Sequence, residues 1–292
     1  VGKVSGAVKR VFTMKAKAMN ACIVFAEELK SCTNVRYAPY DTLKESRAEL
    51  QELLEEEIKL QQIQELPMKM MQFVSLINPT DAIHAIDRII DKRKDAILIH
   101  NSSFMTGLYY ELSGLCQTEN CLTILAALEI LKNRGYEISK KDYHTGFSDV
   151  CEMTGLMGRW QKLQSYPDVI CDTGHNADGF KCIRQQLNYI HNKLNQELHI
   201  VFGMVNDKDI SSVLELLPKD ATYYFTKASV KRALPEDELM KMASEAGLKG
   251  TSYPTVADAV RAAKENCRPK DFIFVGGSNF IVADLLANRD TL

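Results

Sequence analysis

The second half of the chain alternates short apolar strands with amphipathic helices, and this alternation constrains the fold more than any other feature. The pattern predicts five strands, at residues 169–171, 199–202, 221–226, around 251 and 272–275. It predicts helices at 178–194, 210–217, 235–246, 256–266 and 279–286. Strands separated by helix-length connections pair in parallel through right-handed crossovers. We therefore predict an α/β protein whose C-terminal part is a doubly wound, mostly parallel sheet.

The composition of the chain argues against nucleic acids and membranes as partners. The chain has 292 residues, 25% of them charged, and a formal net charge of -2, without the basic excess that nucleic-acid binding requires. No apolar run is long enough to cross a bilayer, so no membrane association is expected. The eight cysteines form no C-x-x-C pair, which is typical of reduced thiols in a cytoplasmic protein. We expect a cytoplasmic protein that acts on small molecules and is a monomer when complete.

The first half of the chain has a different pattern. It predicts helices at 8–19, 43–66, 82–90, 121–132 and 140–151, and strands at 21–25, 96–100 and 109–115. Gly155 and Gly158 then lie in a short linker, and paired glycines of this kind mark a boundary. We predict one domain at residues 1–152, with a helical insert at about 43–100, and a second at 153–292. Because the first residue is Val1, we expect a fragment of a longer protein.

Polar side chains follow the predicted parallel strands at the point where each strand ends. Because parallel strands end at one edge of a sheet, ligands bind in the crevice outside those ends. These residues are Asp172, His175 and Asn176; Asn206, Asp207, Lys208 and Asp209; Thr226 and Lys227; and Gly276, Gly277 and Ser278. Arg159 lies just upstream of the first strand, and its guanidinium suits a phosphate or a carboxylate. We predict a single anion-binding site at this edge.

Each of these residues also has a structural interpretation that the sequence leaves open. Asp172 could cap the following helix, and His175 could be a buried histidine with its hydrogen bonds satisfied. Asp207 and Asp209 could be first-turn acids favoured by the helix dipole, and Lys227 could be a solvated surface lysine. Gly-Gly-Ser before a helix lets backbone N–H groups approach an anion, but many α/β turns contain these residues.

Five motifs in series resemble those of one family. They are Glu111-Leu-Ser-Gly-Leu-Cys-Gln-Thr-Glu-Asn120, Thr154-Gly-Leu-Met-Gly-Arg-Trp-Gln161, Asp172-Thr-Gly-His-Asn176, Phe202-Gly203 with Asp207-Lys-Asp209, and Gly277-Ser278. In order and spacing, from about Tyr109 to the end, they are similar to the folylpolyglutamate synthase/dihydrofolate synthase family of the Mur ligase superfamily. The resemblance identifies residues 1–152 as part of the family's central ATPase-type domain, rich in helices, and 153–292 as its glutamate ligase domain.

The resemblance implies an ATP-dependent ligase that adds L-glutamate to dihydropteroate or folate through an acyl phosphate. Arg159 would neutralise phosphate charge during transfer, and Arg159, Asp172 and Asn176 would bind ATP. His175 would act with Arg159 in catalysis, hydrogen-bonding the phosphoryl group or the substrate, and Ser278 would receive the incoming glutamate. The Mg²⁺ that accompanies ATP would be bound in the front region of the family, so no metal ligand is assigned to this chain.

The sequence also departs from the family pattern. It contains no G-x-x-G-K-[ST] phosphate-binding loop, Cys116 stands where the family usually has histidine or tyrosine, and Met157 where it often has proline. We therefore expect an incomplete form that by itself hydrolyses no ATP. A non-catalytic binding module derived from such a ligase, and a peptidoglycan-type Mur ligase, are the alternatives. A nicotinamide-dependent dehydrogenase is disfavoured because no G-x-G-x-x-G follows a predicted strand.

Overall fold

The computed structural model describes residues 6–26, 34–38, 43–45, 47–48, 51, 84, 87, 96–101, 105–206 and 209–289. The chain divides into two compact units. The first comprises Val1–Ser113 and Gln117–Gly155, and the second comprises Gly114–Cys116 and Leu156–Leu292.

The first unit combines helices with a small antiparallel sheet. Its described helices are α1 (Gly6–Ala18), α2 (Gln117–Asn133), α3 (Lys140–Ser148) and α4 (Val150–Thr154). Its strands are β1 (Asn34–Ala38), β2 (Ala96–Asn101) and β3 (Met105–Tyr110), in the order β1-β2-β3. A cluster of buried side chains from the end of β3 and from α2 and α3 forms its core: Leu108, Tyr110, Leu112, Cys121, Leu125, Tyr143 and Phe147.

Several predictions for the first unit are wrong at their boundaries. The strand predicted at 21–25 is irregular, since an apolar run alone does not distinguish a strand from other buried segments. The strand predicted at 109–115 ends at Tyr110, because the Glu111 N–H turns away and donates to Phe147 O at 3.1 Å. The helix predicted at 140–151 breaks at Asp149.

The strand predicted at 96–100 is confirmed and extends through Asn101, so the predicted helical insert at 43–100 ends in a strand. The helices predicted at 43–66 and 82–90 lie mostly outside the described residues. Within these two segments, the positions that the structure describes are all helical.

The second unit is the predicted doubly wound sheet. Its strands are β4 (Gln161–Gln164), β5 (Asp168–Asp172), β6 (Leu198–Phe202), β7 (Thr222–Thr226), β8 (Lys249–Tyr253) and β9 (Phe272–Gly276). Its helices are α5 (Ala177–Leu194), α6 (Ile210–Leu214), α7 (Glu236–Glu245), α8 (Val256–Asn266) and α9 (Asn279–Ala287). The strand order is β4-β5-β9-β6-β7-β8, and every neighbouring pair is parallel except β4 with β5. The predicted fold class is confirmed.

The antiparallel strand β4 was not predicted. Its sequence, Gln-Lys-Leu-Gln, is mostly polar, and all four residues are only partly buried. A strand of this composition lacks the apolar run by which the buried strands were predicted.

Successive residues of the central strands point to opposite faces of the sheet, as the period of a strand requires. One face packs against α5, α6 and α7, and the other against α8 and α9. In β9, for example, Phe272 and Phe274 belong to the first core, and Ile273 and Val275 belong to the second. This burial on both sides explains why the strands read as continuous apolar runs.

A buried polar network lies at the amino-terminal edge of the sheet, just before β9. Asp271 is 2% exposed and accepts hydrogen bonds from the Arg268 backbone N–H (2.7 Å), Nε (3.1 Å) and Nη2 (3.1 Å). His199 Nε2 lies 3.7 Å from Asp271 Oδ2, and His199 Nδ1 lies 3.0 Å from Tyr224 Oη. These bonds fix the backbone of the residues just before the central strand β9.

We predict that Asp271→Ala lowers the free energy of unfolding by about 2 kcal/mol, because it removes a buried carboxylate that accepts three hydrogen bonds from Arg268. The exposed Asp220 provides a matched control, and Asp220→Ala should change that free energy by less than about 0.5 kcal/mol. Denaturant titration of the parent and both variants measures the effect. Equal effects of the two substitutions would show that the network does not stabilise the sheet.

The same network predicts a pH dependence of stability. Burial lowers the pKa of the His199 imidazole, although the nearby Asp271 carboxylate opposes this shift. The folded state therefore binds fewer protons than the unfolded state, and this contribution to stability is lost as pH falls below about 6.5. The stability difference between the parent and His199→Asn should shrink as the pH is lowered from about 7 to about 5. Chemical denaturation across that range tests this, and a constant difference would contradict it.

Candidate functional site

The carboxyl ends of three central strands lie side by side in the second unit. Asp172 at the end of β5 is aligned with Gly276 of β9, and Gly276 is aligned with Phe202 of β6. The helix that follows β5 packs on one face of the sheet, whereas the helix that follows β9 packs on the other. This is a topological switch point, where open α/β sheets bind their ligands.

The partly buried carboxylate of Asp172 connects β5 to the segment that precedes β4. Its Oδ2 accepts a hydrogen bond from the Trp160 N–H at 2.8 Å, and its Oδ1 accepts one from the Gly174 N–H at 2.7 Å. Burial raises the pKa of the Asp172 carboxyl group, and the two N–H groups and the Arg159 charge oppose that shift. Asp172 does not cap α5, because that position belongs to Asn176.

The turn at residues 158–160 is anchored at both ends. Gly158 has a φ of 74°, and a Cβ atom there would lie 2.8 Å from Thr173 Cγ2, so only glycine fits. Trp160, with a φ of 47°, is buried, and its ring lies 5.8 Å from that of Phe274. Arg159, between the two anchors, is exposed. Its positive charge is close enough to Asp172 to oppose the rise in the pKa of that carboxyl group. The fold therefore presents the guanidinium beside the end of β5.

His175 and Asn176 form the turn between β5 and α5. His175 Nδ1 lies 3.0 Å from Thr173 O, and because a carbonyl oxygen only accepts, Nδ1 must carry the hydrogen. In the neutral ring this leaves Nε2 as a hydrogen-bond acceptor. Asn176 Oδ1 accepts from the Gly179 N–H at 2.8 Å, so Asn176 is the N-cap of α5.

In the turn between β9 and α9, the backbone leaves no room for a side chain at position 277. Gly277 has a φ of 101°, and a Cβ atom there would lie 2.5 Å from Gly203 O. Ser278 is buried, and its Oγ accepts from the Phe280 N–H at 3.1 Å as the N-cap of α9. The hydroxyl group is thus at the predicted edge, where it also has a structural role.

Three of the remaining predicted edge residues serve local structure. Asp209 has a structural role, but as the N-cap of α6, where it accepts from the Ser212 N–H at 3.2 Å, and not as the first-turn acid of its structural interpretation. Lys227 Nζ lies 2.8 Å from Glu236 Oε2, so its charge is paired. The Asn206 N–H donates to a neighbouring loop. Asp207 and Lys208 lie outside the described residues.

Sequence reasoning missed two residues near this edge. Gln161 Oε1 accepts from the Gly158 N–H at 2.8 Å and so supports the turn that carries Arg159. Its position directly after Gly-Arg-Trp was the available signal. Arg232 follows β7 and lies over the ring of Phe280, and no pattern in the sequence marks it.

The described part of the chain offers no group of three or more His, Cys, Asp or Glu side chains that could hold a metal ion. No metal ligand is therefore assigned among the described residues of this edge. Within the same described residues, no helix has the length and apolar character needed to span a membrane.

Comparison with known proteins identifies the region that contains this edge. Residues 158–279 match the family model described as Mur ligase, glutamate ligase domain. The dihydrofolate synthase/folylpolyglutamate synthase of Buchnera aphidicola (Schizaphis graminum) is 27% identical over 165 residues, which are 56% of this chain and 38% of that protein.

Two further proteins are similar to this chain. A UDP-N-acetylmuramoyl-L-alanyl-D-glutamate–2,6-diaminopimelate ligase of Buchnera aphidicola (Baizongia pistaciae) is 26% identical over 73% of this chain and 42% of that protein. The structure of Escherichia coli FolC in complex with DHPP and ADP has a TM-score of 0.52 and 23% identity, covering 68% of this chain and 44% of that one.

The chain spans less than half the length of each of these three relatives. The matched segment begins at the Gly158 turn and ends at the start of α9, so it contains Arg159, Asp172, His175, Asn176 and Ser278. Through this segment, the chain is similar to the glutamate ligase domain of the Mur ligases, and it is similar to the dihydrofolate synthase/folylpolyglutamate synthase of Buchnera aphidicola.

Proposed function

We propose that this chain supplies the amino-acid-adding part of an ATP-dependent ligase that joins L-glutamate to dihydropteroate or folate. The observation that carries this proposal is the exposed Arg159, held at the switch point by the hydrogen bonds between Asp172, Trp160 and Gly174. The relatives of the matched domain support the class of reaction.

The reaction has two steps. The pterin substrate's carboxylate attacks the γ-phosphorus of ATP, which forms an acyl phosphate and releases ADP. The amine of glutamate then attacks the acyl carbon, so that an amide forms, inorganic phosphate leaves and a proton is lost from nitrogen. Both steps place negative charge on phosphoryl oxygens, and a fixed guanidinium stabilises such charge.

The described residues fit the phosphate end of such a reaction. Arg159 would bind phosphate oxygens, and Asp172 would hold the turn that carries it. His175 Nε2, left as an acceptor by the bond from Nδ1 to Thr173 O, would accept a hydrogen bond from a substrate. We keep Asn176 as a nucleotide-binding residue through its amide nitrogen, since its oxygen caps α5.

ATP brings a divalent metal to this chemistry, and that metal polarises the phosphates. None of the described residues is assigned to it, because no ligand cluster is present among them. The sequence also contains no G-x-x-G-K-[ST] loop, so we propose that turnover requires a phosphate-binding loop that these 292 residues do not supply.

A ligase that adds an amino acid to a peptidoglycan precursor is the second candidate, and the similarity to the diaminopimelate ligase favours it. Such an enzyme would share the phosphoryl-transfer chemistry and differ in the acceptor and the amino acid. Saturation-transfer NMR with dihydropteroate and with a UDP-N-acetylmuramoyl peptide would distinguish the two candidates. Contact with only the peptidoglycan precursor would contradict the folate proposal.

We predict that Arg159→Ala weakens ADP binding at least about tenfold, because a charge-assisted contact to phosphate is lost. Arg184→Ala, which removes an exposed arginine from α5, is the matched control and should leave the affinity unchanged. Isothermal titration of the whole chain and both variants with ADP measures the effect. If Arg159→Ala binds ADP as tightly as the control does, the role of Arg159 is wrong.

A further inference from the structure

The short segment Gly114–Cys116 lies along one face of α5. This segment belongs to the second unit, whereas the chain on both sides of it belongs to the first. The Leu115 N–H donates to Gln186 Oε1 at 3.0 Å, and Cys116 Sγ lies 3.8 Å from Gly179 O. Gly179 and Gln186 are about two helical turns apart, so both contacts are made to the same face of the helix.

Cys182 lies on this face of α5, between the two contacts. A helical side chain leans toward the N-terminus of its helix, so the side chain of Cys182 covers the turn that contains Gly179. Cys116 Sγ lies at that same turn, and the Cys116 thiol forms a side-chain hydrogen bond with the Cys182 thiol. Two cysteines that are far apart in the sequence are therefore neighbours within the second unit.

A small reactant can reach this pair of thiols, because Cys116 and Cys182 are each only partly buried. Cys121 and Cys171, in contrast, are buried. Cys267 is also partly buried, but its thiol lies 3.4 Å from the carbonyl oxygen of Lys264, in the helix that it ends. Access from solvent together with a second thiol at hand is typical of cysteines that form a disulfide reversibly.

We propose that Cys116 and Cys182 form a reversible disulfide when the protein meets a small-molecule disulfide such as oxidised glutathione. The bond joins the segment Gly114–Cys116 to α5 and closes a loop of about 65 residues. It also restrains the first half of α5, the helix whose N-cap is Asn176. This inference goes beyond the proposed function and does not depend on it.

The disulfide forms by two thiol–disulfide exchange steps. Burial and the hydrogen bond with Cys182 raise the pKa of the Cys116 thiol, which keeps it protonated at neutral pH, so we assign the first attack to Cys182. The Cys182 thiolate attacks one sulfur of oxidised glutathione, which forms a mixed disulfide and releases one glutathione thiolate. Cys116 then loses its proton and attacks the Cys182 sulfur, which releases the second glutathione. Two cysteine thiols are oxidised, one disulfide is reduced, and the two protons that the cysteines lose end on the two glutathione thiolates.

The test treats the whole folded chain with oxidised glutathione, blocks the remaining thiols with N-ethylmaleimide and identifies linked peptides by tandem mass spectrometry. We expect a link between Cys116 and Cys182 that dithiothreitol removes. Cys116→Ser and Cys182→Ser should each abolish the link, whereas Cys267→Ser, the matched partly buried cysteine, should keep it. A parent that carries only glutathione adducts, or in which Cys182 is linked to another cysteine, would show that the proposal is wrong.

Urea unfolding of the oxidised and reduced parent provides a second measurement, which needs no serine variant to fold. The oxidised parent should unfold at a urea concentration about 1 M higher, because the disulfide restricts the unfolded chain. Cys267→Ser should gain the same increase on oxidation. If oxidation leaves the midpoint of the parent unchanged, no bond holds the Gly114–Cys116 segment on α5, and the inference is rejected.

Discussion

The carboxylate of Asp172 is the interaction on which the site depends. It is the last residue of β5, and it accepts hydrogen bonds from Trp160 and Gly174, one to each oxygen. One bond holds the turn that carries Arg159, and the other shapes the turn that carries His175. Burial raises the pKa of this carboxyl group, and those N–H groups and the nearby guanidinium oppose that shift. Loss of this group would release both turns together.

The order of the strands explains why the site is where it is. The chain passes from β5 to β6, and it later inserts β9 between them. The helices after β5 and β9 therefore lie on opposite faces, and both begin at the same edge of the sheet. Gly203 follows β6 and Gly277 follows β9, and the close packing of these two glycines brings the ends of the two strands together. The sheet thus gathers groups that are more than a hundred residues apart in the sequence.

Much of the second unit could be predicted, because its buried strands read as apolar runs and its helices as periodic ones. The helix at 256–266 has the predicted bounds, and the other elements differ by a few residues at their ends. The edge strand β4 was missed because it is polar and partly exposed. In the first unit, the apolar run at 21–25 was predicted as a strand, although nothing in the local pattern reveals whether a neighbouring strand is available to pair with it.

The sequence by itself determined the alternation of strands and helices, the edge at which polar residues gather, and the motifs shared with one ligase family, since all three depend on residue type and spacing. Only the tertiary structure decided which roles those residues have. Asp172 holds the turn while Asn176 caps the helix, and Arg232 meets Phe280 through a loop returning from another strand. Such contacts join residues distant in the chain, and their geometry follows from how the strands are ordered and how closely their ends pack.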